Sequence, residues 1–368
     1  MNRRQNLRLL GLGAAAGCAS TSKRSPPQGR LHLSPVNIDS QREIRTVVGL
    51  RPYRASGFVV RPEKLGDKLI VHNYGHGGAG VTLSWGTAHL ATKLALSQEA
   101  RRIAVLGCGA VGLATARLLQ ERGATVTIYA ASLPPGTTSN VAGAQWFPFS
   151  SCHRSALAGP FREQFVSAAR FAYDRFQSMC HPSWGVRWMT NYMCSDRKIG
   201  EDWLVGRRSP IRELIPDLHD LLPERNPFPT RYVRQFASMM IEPNPYLFRL
   251  LSQVRLAGGQ VVIGTIKDMN QLSALPESTI INCTGFGAKA LFGDDELVPA
   301  KGQLTLLLPQ PEVSYSVLSG DNYMFSRSDG IVLGGTFEQG VDSLEPDLEA
   351  KRRVLSFHRD FFGSLASA

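Results

Sequence analysis

The chain has 368 residues, a formal net charge of +11, and 43% apolar and 19% charged residues. These are the features of a globular protein with a sizeable core in one large or two smaller domains. No apolar run approaches the roughly 20 residues of a membrane-spanning helix. The basic residues are dispersed, not gathered on one helix or interleaved with aromatics, which argues against a nucleic-acid surface. The charge then serves solubility, attraction to a membrane surface, or a field favouring anionic ligands. None of Cys18, Cys108, Cys152, Cys180, Cys194 and Cys283 forms a Cys-x-x-Cys pair, so neither a zinc ribbon nor another metal site is expected.

In chain order, Arg3, Arg4 and Arg8 make a basic start, and Leu9 to Ala16 is a short apolar stretch. Ala15-Ala16-Gly17-Cys18 resembles a bacterial lipobox, in which Cys18 becomes a lipidated first residue attached to a membrane. Arg3 to Arg8 resembles a twin-arginine signal, a route suited to a protein that folds around a cofactor before export. Residues 1–18 are read as this signal and 19–40 as a polar linker. The expected location is periplasmic or membrane-anchored, with the cytoplasm as the alternative.

From Gln41 the pattern becomes globular. Arg45 to Leu50, Phe58 to Arg61 and Lys68 to Asn73 read as strands, and Tyr74 to Gly80 as a glycine-rich turn before a helix over Val81 to Leu96. A short buried strand, Ile103 to Leu106, precedes a helix from Ala110 to Arg122 that ends at Gly123. Thr125 to Tyr129 is a second strand and Leu133 to Ser139 a loop. Phe161 to Cys180 has the spacing of a long amphipathic helix. The stretch from Pro182 to Pro229 is mixed. Tyr246 to Ala257 is a helix, followed by strands at Gln260 to Gly264 and Thr279 to Asn282. Segments 302–308, 315–318, 323–326 and 330–335 form an antiparallel set, and Leu348 to Phe362 is a final helix.

Gly107, Gly109 and Gly112 fit Gly-x-Gly-x-x-Gly between a strand and a helix. The first glycine permits the tight turn, the second lets the backbone approach a pyrophosphate, and the third lets the helix pack on the strand. Ala110 and Val111 open the helix whose N–H groups meet the phosphates. The acid that should follow the second strand is absent, since Tyr129 is followed by Ala130, Ala131 and Ser132. That departure weakens a nicotinamide reading and leaves Ser132 to bind the ribose.

At His72 the sequence reads His-Asn-Tyr-Gly-His-Gly-Gly-Ala-Gly-Val-Thr-Leu-Ser-Trp-Gly-Thr-Ala, which closely resembles a signature of the D-amino-acid oxidase family. Val48-Gly49-Leu50-Arg51-Pro52 is similar to that family's substrate-arginine segment. Thr137-Thr138-Ser139 and Ala142-Gly143-Ala144-Gln145-Trp146-Phe147-Pro148 resemble its flavin-contacting loop. Ile281-Asn282-Cys283-Thr284-Gly285, Lys301-Gly302-Gln303, and Tyr323 followed by Leu333 to Phe337 match it too. The order differs from the family's usual one, in which the fingerprint comes first and the His72 segment last. The chain thus reads as a circular permutation, with Ser97 to Arg102 joining the former termini.

The resemblance implies an α/β fold: a Rossmann-like FAD-binding domain (41–150 and 240–300) and a mixed, antiparallel-sheet substrate domain (151–239 and 301–368). It implies that Arg51 clamps a substrate carboxylate, that Tyr323 contacts it through its hydroxyl, and that the Gly78 carbonyl meets the amine. Three fixed points aim only one enantiomer's Cα–H at the flavin. FAD would lie against Gly75, Gly77, Gly78, Ala79, Gly80, Val81 and Thr82, the fingerprint residues, Ser132, Thr137, Thr138, Gly143, Ala144, Gln145, Trp146, Thr284 and Gly285. The helix beginning near Val81 would stabilise the reduced, negatively charged flavin, with Thr82 donating there. His72 and His76 read as hydrogen-bonded residues shaping the turn.

The function implied is oxidative deamination of a D-amino acid, by hydride transfer from Cα to FAD, to a 2-oxo acid and ammonia. Molecular oxygen would reoxidise the cofactor to give hydrogen peroxide. A flavin-dependent dehydrogenase passing electrons to a membrane carrier is the alternative within the class. A D-aspartate oxidase would need a further cation beside the substrate side chain. A non-catalytic binding protein on the same scaffold is the alternative outside the class, and the acid missing after Tyr129 is its support. Residues lining the side-chain pocket are expected in 182–229 and 315–322.

Overall fold

The computed structural model describes residues 30–97, 101–143, 145–200, 206 and 208–366. The signal segment, the first half of the linker, the middle of the Ser97–Arg102 connection and Ala144 lie outside them.

The strands and main helices, in chain order, begin with β1 (Glu43–Tyr53), β2 (Val59–Leu65), β3 (Lys68–Tyr74), α1 (Gly80–Ala95), β4 (Arg102–Leu106), α2 (Ala110–Gln120), β5 (Thr125–Ala130) and α3 (Phe161–Gln177). Then come β6 (Val186–Ser195), β7 (His219–Asp220), β8 (Tyr232–Ile241), α4 (Pro243–Leu256), β9 (Gln260–Ile263), α5 (Met269–Ser273), β10 (Thr279–Asn282) and α6 (Gly287–Phe292). The chain closes with β11 (Val298–Leu307), β12 (Tyr315–Ser319), β13 (Asn322–Arg327), β14 (Gly330–Gly334), β15 (Glu338–Gln339) and α7 (Leu348–Ala366).

Six strands form a sheet in the order β2-β3-β10-β4-β5-β9, parallel throughout except for β2. Its central strands are short and apolar along their length. Ile103 to Leu106 and all of β10 are buried, as a parallel strand covered on both faces must be. The buried polar residues of β3 find partners, although the Asn73 side-chain oxygen has none among the described residues. His72 Nδ1 accepts from the Asn282 amide at 3.2 Å, its Nε2 faces Glu63 at 3.1 Å, and the Asn73 amide donates to Thr115 at 3.2 Å. These side chains cross-link β3 to β10, β2 and α2. Helix α1 is buried nearly all round because α2 and α3 pack on it above the sheet.

Nine strands form the second sheet, in the order β1-β11-β14-β13-β12-β6-β8-β7, with β15 also on β11. Here side chains alternate between two faces. Leu307, Met324, Ile331 and Leu333 pack beneath α7 with Val354, Phe361 and Phe362. Leu304, Leu306, Phe325 and Val332 form the opposite face with Met189 and Met240.

The mixed α/β architecture with two sheets is as expected, but two segments change sides. β1 lies within 41–150, the stretch assigned to the FAD-binding domain, yet it pairs antiparallel with β11 of the other sheet from Glu43 to Tyr53. Its backbone groups are satisfied there, and it crosses to the six-stranded sheet only at β2. α3 lies within 151–239, assigned to the substrate domain, yet Phe165, Ala168, Ala172 and Phe176 pack into the core that covers the six-stranded sheet. Its small residues allow close approach to α1. Strands β6 and β8 lie in stretches where no strand is predicted.

Gly86 of α1 marks that approach, since a Cβ there would overlap the Ala168 carbonyl of α3. The obstacle is backbone, so it yields only if a helix moves. Gly86→Ala is expected to destabilise the fold by roughly 1–3 kcal/mol, read as a lower midpoint in urea unfolding with an unchanged slope.

Candidate active site

A cleft of about 1110 Å³ is lined by residues of both sheets. It exceeds the roughly 300–1,000 Å³ of ordinary small-molecule pockets, leaving room for a large ligand beside a smaller one.

Its long side is built by the parallel sheet. Strand β4 turns into α2 through Gly107, whose φ of 100° few side chains tolerate and where a Cβ would meet the Cys283 carbonyl oxygen at 2.5 Å. Gly112 is pressed against the Gly107 carbonyl, so the helix lies directly on the strand. The first N–H of α2, on Ala110, donates to the Ser139 hydroxyl at 3.0 Å. The α1 N-terminus opens on the same cleft through Gly80, Val81 and Thr82, and no side chain caps it. Two helix N-termini, each with N–H groups and positive dipole, therefore serve one cleft.

The other wall is the nine-stranded sheet, where missing side chains set the geometry. Arg51 on β1 lies across Gly302 of β11, and a Cβ on Gly302 would overlap its guanidinium. Tyr323 on β13 lies across Gly334 of β14, where a Cβ would overlap the ring and hydroxyl. Each residue lies flat because its neighbour is glycine. Arg51 Nη1 donates to the Thr336 and Lys301 carbonyls at 3.3 and 3.4 Å, and its guanidinium lies 5.4 Å from the Phe337 ring centre. Among the described residues no carboxylate meets it. Several other partly buried arginines have one: Arg54 pairs with Asp294 and Glu296, Arg187 with Glu242, and Arg327 with Asp329, whereas Arg212 and Arg249 meet none among the described residues. A half-buried guanidinium that faces the cleft and meets no carboxylate of the chain among the described residues suits a ligand carboxylate.

Gly78 stands beside Arg51, for a Cβ on it would lie 3.7 Å from Arg51 Cδ. Its N–H donates to the Ser150 carbonyl at 3.0 Å, which holds the glycine-rich turn against the 147–150 loop. Below the turn His76 is buried, bonded to Thr87 at 2.9 Å and stacked on Phe58. Burial holds its imidazole neutral, its pKa pushed down to about 3. His72 is lowered by the same cause, against the opposing pull of Glu63.

Arg51, Tyr323, Gly77, Gly78, Gly80, Val81, Thr82, Gly107, Gly109, Ala110, Val111, Ser132, Thr137, Thr138, Gly143, Gln145, Thr284 and Gly285 all line this cleft. Gly75, Ala79, Gly112 and Trp146 do not. Trp146 is 1% exposed and packs edge-on against Tyr173 in the core, so it supports the wall from behind. Thr82 spends its hydroxyl on the Gln145 carbonyl at 3.2 Å, and the Gln145 amide donates to Asn191 at 2.6 Å. Ala144 lies outside the described residues. Met193, Ile199, Leu318 and Asp321, from the stretches 182–229 and 315–322, also line the cleft. Phe147 and Phe337, within the motifs that resemble the family, also line the cleft, as do Ser150 and Lys267, which were not singled out from sequence. They come from loops whose position depends on strand pairing and not on local pattern.

The family described as FAD-dependent oxidoreductase matches residues 102–368. A D-amino-acid oxidase of Rubrobacter xylanophilus is 31% identical over 266 residues, covering 69% of this chain and 75% of that protein. The human D-aspartate oxidase is 28% identical over 274 residues, covering 70% and 75%. Among solved structures, iminodiacetate oxidase from Chelativorans has a TM-score of 0.56 at 18% identity, over 72% of this chain and 80% of that one. Glycine oxidase from Bacillus cereus has 0.55 at 12% identity, over 73% and 80%.

A histidine held neutral at about 3 against an ordinary 6.5 contributes stability that is complete above pH 6.5 and lost as pH falls toward 3. The melting temperature is expected to drop on acidification across that window. In His76→Asn, which cannot take up the proton, the drop should be shallower.

Proposed function

The chain belongs to the FAD-dependent oxidoreductase family, and from that premise we propose that it oxidises D-amino acids to imino acids. Water then hydrolyses these to 2-oxo acids and ammonia, and oxygen as final acceptor yields hydrogen peroxide. The observation that carries this reading is Arg51, set flat over Gly302 in the cleft with no carboxylate partner among the described residues.

The residues present fit FAD. The cleft is long enough for a dinucleotide with a substrate beside it, two helix N-termini open on it, and Gly107 and Gly109 keep side chains out of the βα turn. Gly107, Gly109, Ala110 and Val111 would hold the pyrophosphate, and Gly80 to Thr82 the end nearer Arg51. When bound, FAD would supply the two-electron oxidation of the substrate Cα–N bond. The chain supplies orientation. Arg51 engages the substrate carboxylate through paired N–H groups, and the Tyr323 hydroxyl donates to the same carboxylate. The Gly78 carbonyl accepts from the amine, and Phe147 and Phe337 exclude water. The α1 N-terminus, aimed into this end, favours negative charge that develops there. A D-aspartate oxidase is less well supported, because no second cation lines this end among the described residues.

Circular permutation belongs to the same proposal. The family match begins at β4, yet the residues before it supply β1 to one sheet and β2 and β3 to the other. The matched stretch covers 75% of each of the two named relatives. The basic start and the Ala15 to Cys18 box support export and lipidation. A lipid anchor would suit the alternative in which electrons pass to a membrane carrier, and peroxide yield against dye reduction separates the two acceptors.

Arg51→Ala is expected to lower kcat/KM for D-amino acids about a hundred- to a thousandfold, mostly through KM, with flavin absorbance retained. Full turnover in that variant would defeat the assignment. Gly302→Ala, which leaves every functional group in place but takes the space beneath the guanidinium, should raise KM in the same direction.

A further inference from the structure

We propose that Asp321 selects D-amino acids whose side chain ends in a positive charge, such as D-lysine and D-arginine. This rests on the D-amino-acid reading above and adds a substrate class to it. Among the described residues only three fully charged side chains line the cleft: Arg51, Lys267 and Asp321. Lys267 follows β9, at the dinucleotide end beside Thr265. The substrate end therefore holds one cation, already assigned to the α-carboxylate, and one carboxylate.

The strand register places that carboxylate at a useful distance. Asp321 sits in the tight turn between β12 and β13, closed by the pairing of Ser319 with Asn322. The next pair inward is Leu318 with Tyr323, and Leu318 in turn aligns with Met193 of β6. Tyr323, Leu318 and Met193 thus make one row across the cleft face, a tyrosine followed by an apolar shelf. Asp321 lies two residues before Tyr323, in the turn itself, so its Cα stands at most about 7 Å from that of Tyr323. A lysyl side chain carries its charge across five bonds, on the order of 6 Å from Cα. A substrate held by its carboxylate at Arg51 and Tyr323 can rest its methylenes on Leu318 and Met193 and bring its head to Asp321. Asp321 is exposed and meets no basic side chain among the described residues. An acidic substrate side chain would meet repulsion there, and a neutral one neither gain nor loss.

The test compares D-lysine with D-norleucine, the same chain without the charge, in the flavin-loaded enzyme. The readout is the ratio of kcat/KM for the two, at low and high salt. In the wild type the ratio should favour D-lysine and fall as salt rises. Asp321→Asn should lower it on the order of fivefold, the ceiling for an exposed ion pair, and remove its salt dependence. Asp321→Lys should invert the preference and admit D-glutamate. A ratio that is the same in wild type and Asp321→Asn, or D-glutamate oxidised by the wild type as well as D-lysine, overturns the proposal while leaving the activity standing. Flavin that no D-amino acid reduces overturns both.

Discussion

The antiparallel pairing of β1 with β11 is the constraint on which the site depends. Its register sets Arg51 against Ala300 and Gly49 against Gly302, and the Arg51 side chain then leans along the strand to lie over Gly302. Side chains alternate faces with a period of two, so a slip of one residue would turn Arg51 to the other face of the sheet. The same strand continues through the Arg54 contacts with Asp294 and Glu296 into β2 and β3. The position of the guanidinium and the joining of the two sheets are therefore set by one set of backbone hydrogen bonds. The Tyr323 position repeats the device one strand pair away, with Gly334 beneath the ring.

Much of this was legible in the sequence, for reasons that differ by residue. The βαβ unit at Arg102 could be read because its signals are local: a short apolar run, glycines at fixed spacing, and a helix that ends at Gly123 with a φ of 82°. Arg51, Tyr323 and Gly78 could be named only through a family resemblance, and the structure brings all three to one cleft. Pairing information was not legible. β1 alternates like any half-buried strand, and nothing within it says which sheet it joins. β6, read from Val186 to Ser195, carries arginine, threonine and asparagine among its apolar residues and gives no clean period. Trp146 was placed beside the flavin because it adjoins Gln145. Adjacent residues in extended chain point opposite ways, and the core took the larger ring.

The acid missing beyond Tyr129 finds a partial explanation in the fold. The Tyr129 hydroxyl donates to Glu277 at 3.3 Å, and Glu277 is buried away from the cleft. No carboxylate lines that end of the cleft among the described residues. Its polar groups are those of Ser132, Thr265 and Lys267. Binding there rests on hydroxyl and ammonium donors, which leaves the helix N-termini as the stronger electrostatic feature of the cleft.

The placement of residues 30–97 bears on how the chain reaches this structure. Strand β3 waits for β10 across 210 residues, from Leu69 to Thr279, and β1 waits for β11 across a similar span. Contacts of such sequence separation carry a large loop-closure cost before any pairing repays it, so folding is slow for the size of the protein. During synthesis the first two strands of the parallel sheet and the strand bearing Arg51 emerge long before their partners. β2 and β3 can pair with each other at once, but β1 and the outer edge of β3 stay unpaired until β11 and β10 are made, which leaves this early segment exposed to aggregation.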